Sequence, residues 1–155
     1  MVEDIFRHRV LLQHCLIVGM AIYAWLRGDA PEKVATAVLP CMVLLLYLYE
    51  ATFAQSARYD RVNLGYFAID GLGLVVFGYL ALKANRMYPL WLLGAQLISV
   101  MMHLVRDLSE AMHPVVYFIL TTAPSWVQIM ALAIGLYCHR KRIARYGSYR
   151  SWRTS

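Results

Sequence analysis

The sequence predicts an all-α, polytopic transmembrane helix bundle of about five spanning helices, and three observations lead there. Of the 155 residues, 61% are hydrophobic and 15% charged, whereas a water-soluble domain holds roughly 45 to 50% apolar residues and about a quarter charged ones. The apolar residues fall into five runs, each near the roughly 20 residues that a helix needs to cross about 30 Å of hydrocarbon. The polar breaks between the runs are short, which makes neighbouring helices antiparallel.

The runs cover 10–26, 34–53, 64–82, 88–105 and 115–137. The first is preceded by Glu3 and Asp4 as well as Arg7 and Arg9. No small-residue cleavage pattern follows Leu26, so it reads as a retained helix and not as a signal peptide. The second and fifth runs contain Pro40 and Pro124, each of which frees a backbone carbonyl, and Thr121 and Thr122 lie within reach of the second break. The third holds Gly71, Gly73 and Gly78 and the fourth Gly94 and Ala95, small residues that let helix backbones approach. There is no internal repeat or long linker. The chain divides into a membrane domain, 1–138, and a basic juxtamembrane tail, 139–155.

The formal charge of +6 is concentrated in that tail, in Arg140, Lys141, Arg142, Arg145, Arg150 and Arg153. Attached directly to an apolar run, such a cluster is expected to meet anionic lipid headgroups or an acidic partner and not nucleic acid. A count of Lys and Arg on the two sides favours an outside N-terminus and a cytoplasmic C-terminus. The small size fits a bacterial inner membrane, with a homo-oligomer or a larger membrane complex as the setting. Cys15, Cys41 and Cys138 are odd in number and widely spaced, which gives no disulfide framework and no zinc knuckle.

Chemistry is concentrated on the fourth run. Gln96, Ser99, His103, Arg106, Asp107 and Glu110 recur at spacings of three and four residues and form one face of a helix. Lipid cannot satisfy amide, imidazole or carboxylate groups, so this face should turn toward other helices. The third run brings Asn63, Tyr66 and Asp70, the second Tyr47 and Glu50, the fifth Thr121, Ser125 and Gln128, and the first His14. With a rise of about 1.5 Å per residue, His14, Glu50, Asp70 and His103 fall in one layer roughly 3 to 9 Å inside the same boundary. The candidate buried polar site is therefore His14, Glu50, Asp70, Gln96, Ser99, His103, Arg106 and Asp107.

Three classes of function fit these residues. The first is handling of a proton, cation or small solute by Asp70, His103 and Glu50, with Arg106 and His14 as modulators. The second is a non-catalytic accessory or assembly subunit of a membrane complex. The third is a redox component in which His14 and His103 ligate haem or a metal, although no His-Glu-x-x-His or Cys-x-x-Cys-His element accompanies them and no cofactor is expected. An enzyme is not expected either, because Ser99, His103 and Asp107 along one helix make a polar stripe and not an oriented triad with an oxyanion site.

Overall fold

A computed structural model describes residues 2–53, 64–108 and 114–153, with side chains described for 8–53, 64–105, 120 and 122–153. Five helices follow in order: α1 (Val2–Arg27), α2 (Ala30–Phe53), α3 (Leu64–Lys83), α4 (Tyr88–Leu108) and α5 (Pro114–Tyr146). Each of the five apolar runs lies within one of them. The stretches His8–Arg27, Ala30–Phe53, Leu64–Lys83 and Tyr88–Val105 are long and apolar enough to cross a membrane. α5, at 33 residues, is about 50 Å long and exceeds the hydrocarbon thickness.

Local chemistry sets the helix ends. Pro31 occupies the first turn of α2, where its missing N–H costs nothing, and Glu32 beside it favours the positive end of the helix dipole. Pro89 and Pro114 sit in the first turns of α4 and α5 in the same way. α5 stops at Gly147, whose φ of 71° is a left-handed conformation open to glycine at little cost. The Gly147 N–H donates to the Ile143 carbonyl at 2.9 Å. The chain then turns back across the end of the bundle. Asn85 N–H donates to the Ser151 carbonyl at 3.1 Å and Arg153 N–H to the Lys83 carbonyl at 2.8 Å. The tail expected from residue 139 is thus helical as far as Tyr146, and its next residues lie against the α3–α4 connection.

Successive helices pack on one another, and α5 also meets α1 and α2, which closes the ring. The ends of α1, α3 and α5 and the starts of α2 and α4 share one face, called the C-terminal face below. Phe77, Leu80, Leu92 and Leu132 are fully buried at the centre. Large apolar side chains such as Leu12, Ile22, Leu44, Val75, Trp91 and Ile134 are exposed around the circumference. A continuous apolar exterior of that kind belongs to a protein whose solvent is lipid. The protein is a polytopic helical membrane protein.

Candidate functional site

Of the α4 stripe, the side chains of Gln96, Ser99 and His103 are described, and those of Gln96 and His103 turn toward α3. Gln96 is 1% exposed and Gln128 of α5 is 4% exposed, so neither amide has water to bond. They bond to each other: Gln128 Nε2 donates to Gln96 Oε1 at 2.6 Å. Gln96 Nε2 in turn donates to both the backbone carbonyl and the Oδ1 carboxylate oxygen of Asp70, each at 3.0 Å. The other carboxylate oxygen, Oδ2, lies 2.9 Å from His103 Nε2. Four side chains from three helices thereby form one hydrogen-bonded chain.

A glycine makes room for it. At Gly73 an added Cβ would meet Met42 Sδ at 2.7 Å and the Gln96 amide carbon at 3.3 Å, so a side chain there would require the end of Met42 and the Gln96 amide to shift. The pair itself stays half-open: the side chains of Asp70 and His103 are each 22% exposed. The Phe67 ring stands edge-on to the His103 ring at 6.2 Å. Asp70 lies about 9 Å along α3 from Leu64, and Gln96 about 12 Å along α4 from Tyr88. The chain of bonds therefore runs from one leaflet toward the middle of the membrane.

The structure brings together Asp70, Gln96 and His103 from the sequence-derived set and adds Gln128. Ser99 turns its hydroxyl to the Ala95 carbonyl of its own helix at 3.4 Å. Glu50 is exposed and accepts a bond from the Tyr66 hydroxyl at 2.9 Å, on the α2–α3 side. His14 has Nδ1 2.7 Å from the Val10 carbonyl, and its ring lies 5.9 Å from that of Tyr47. His14 is thus engaged on the α1–α2 side and His103 on α3. The side chains of Arg106 and Asp107 lie outside the described residues. Arg140, Lys141, Arg142, Arg145, Arg150 and Arg153 are all exposed.

A second polar cluster, on the C-terminal face, escaped sequence reasoning. Glu32 is 0% exposed, His139 3% and Arg86 6%. Arg86 Nε donates to Glu32 Oε1 at 2.8 Å, and its Nη2 lies 3.5 Å from Asp29 Oδ2. Arg86 Nη1 donates to the Asn85 carbonyl at 3.1 Å, and the guanidinium lies 4.3 Å from the centre of the Tyr149 ring. His139 Nδ1 is 2.9 Å from the Tyr149 hydroxyl and 3.8 Å from Glu32 Oε1. Ser151 completes the set by donating to Asp29 Oδ2 at 2.8 Å.

Burial raises the Tyr149 phenol above its ordinary value, the nearby Arg86 charge works against that shift, and Glu32 adds to it. Asp29, Glu32 and His139 form the group of three metal-type ligands found among the described residues. Arg86 pairs with both carboxylates of that group.

The signal for this cluster was present but divided. Asp29 and Glu32 lie in one polar break, Arg86 in another, and His139 and Tyr149 in the tail. The antiparallel arrangement puts all three segments on one face. Orientation counts consider only Lys and Arg, and so passed over the two acids on that face. No family model, curated protein or solved structure matches the chain.

Proposed function

We propose that this protein handles a proton at the Asp70–His103 pair, as a small integral protein of a bacterial inner membrane with its N-terminus outside and its C-terminus in the cytoplasm. The observation that carries this reading is the 2.9 Å contact between a carboxylate and an imidazole on two different membrane helices. An ionised Asp70 accepts from the Nε2–H of His103, and a protonated Asp70 donates to Nε2. The bond therefore survives the transfer, as a site that gains and loses a proton requires. Gln96 holds the carboxylate in place and extends the hydrogen-bonded path to Gln128 at mid-depth.

Phe77, Leu80, Leu92 and Leu132 lie fully buried in the same interior. Passage of a proton to the other side would need this apolar core to open, so uptake and release belong to separate arrangements of the bundle. The test is proton flux into liposomes that contain the purified protein and a trapped pH-sensitive dye, driven by a potassium diffusion potential. Wild-type protein is expected to raise the flux above that of protein-free liposomes, and Asp70→Asn to abolish the increment while eluting as a normal particle in detergent. Equal flux in the two proteins, or no increment from wild type, would remove Asp70 from any such role.

A further inference from the structure

A groove of about 470 Å³ runs along the outer side of α4 and α5 and ends against the second polar cluster. Its body is apolar, with Trp91 and Ile134 exposed along it at 67% and 62%. Facing lipid at that position, it will be filled by an acyl chain in any bilayer. Its head is different. Arg86, Tyr88, His139, Arg142 and Tyr149 line that end.

Three of these residues carry buried polar atoms that have no hydrogen-bond partner among the described residues: Arg86 Nη2, the Tyr88 hydroxyl and His139 Nε2. Tyr88 is 7% exposed, Arg86 6% and His139 3%. Arg86 Nη2 faces the Asp29 carboxylate at 3.5 Å, and the Tyr88 hydroxyl is a donor. His139 Nε2 is a donor whenever Nδ1 accepts from the Tyr149 hydroxyl, as their 2.9 Å separation allows. A buried donor left unpaired costs about 1 to 3 kcal/mol, so two at one place call for a ligand with acceptor oxygens.

The charge at that end has the matching sign. Arg86 and Arg142, the latter exposed and 5.2 Å from the Tyr149 ring centre, together offset Glu32 and Asp29, and Arg140, Lys141 and Arg145, exposed on the same end of α5, leave the surroundings positive. Tyr88 begins α4, so the groove head also lies at the positive end of that helix's dipole. From this arrangement we infer that the α4–α5 groove is a binding site for an acidic phospholipid, its phosphate against Tyr88, His139 and Arg142 and one acyl chain along Trp91 and Ile134. Basic pockets between membrane helices are a recurrent form of such sites. This site is independent of the Asp70–His103 pair.

The test uses the full-length protein in phosphatidylcholine liposomes to which dibrominated phosphatidylglycerol or dibrominated phosphatidylcholine is added, with tryptophan quenching as the readout. Wild type should show a saturable component that reaches half-maximum at about a fivefold lower mole fraction of the acidic lipid than of the zwitterionic one. Trp91→Phe should remove that component. Arg142→Gln, a change at an exposed position, should bring the two lipids to the same midpoint, and Arg145→Gln, outside the groove on the same helix, should leave the fivefold preference intact. Identical midpoints in the wild type would overturn the site. So would equal loss of preference in Arg142→Gln and Arg145→Gln, which is the pattern of general attraction to a basic surface.

Discussion

The two polar clusters of this bundle solve the same problem at different depths and by different means. The Asp70–Gln96–His103–Gln128 chain lies within the membrane domain and uses neutral amides to surround a single carboxylate–imidazole pair. The Glu32–Arg86–His139–Tyr149 cluster lies at the C-terminal face and uses full charges, sealed by a tail that folds back over them. The difference follows from what each region can recruit. A helix deep in lipid has only neighbouring helices to satisfy its polar groups. A helix end can also draw on connections and the tail, here through Ser151 and Tyr149.

That contrast predicts unequal sensitivity to mutation. The largest effect is expected at Arg86→Met, which strands the fully buried Glu32 carboxylate and should cost about 3 to 5 kcal/mol. The double variant Glu32→Met, Arg86→Met should recover most of that loss, because two apolar groups replace the pair. Unfolding in mixed micelles monitored by circular dichroism measures both, and a double variant no more stable than the single one would show that the ion pair is not the source. A smaller cost, about 1 to 3 kcal/mol, is expected for Gln96→Leu, which leaves Gln128 and one Asp70 oxygen without their partner. If Gln96→Leu proves as damaging as Arg86→Met, the distinction between amide and charged clusters fails.

The smallest effect concerns the tail. Because the Tyr149 phenol is raised above 10.0 in the folded protein, the unfolded chain gives up that proton first. Its contribution is complete below about pH 10 and is lost as pH climbs from there through the raised folded value. Trp152, held 6.1 Å from Tyr79 by the returning tail, is the reporter. Its fluorescence should change on alkaline titration, and Tyr149→Phe should remove that step while lowering stability by about 0.5 to 1.5 kcal/mol. An unaltered titration in Tyr149→Phe would detach the tail from the phenol.

Legibility in the sequence follows the same division. Asp70, Gln96 and His103 could be selected because helical periodicity places Gln96 and His103 on one face, and lipid forbids that face from turning outward. Glu50 and His14 share their estimated depth but not their direction. Periodicity within each helix leaves the rotation of that helix about its axis undetermined, and packing turned these two toward Tyr66 and Tyr47. Gln128 was visible only as a polar residue of the fifth run. Its role depends on α5 facing Gln96.

By itself the sequence determined the solvent, the number of helices, their approximate limits and the polar face of α4, because each rests on local composition and a 3.6-residue period. Tertiary structure alone decided which polar faces meet and where the tail goes. Asp29, Glu32, Arg86 and His139 become one cluster only when three separate segments are brought to the same end. The return of the chain at Gly147 then closes that end, and no local pattern encodes contacts between residues 122 positions apart, such as Asp29 and Ser151.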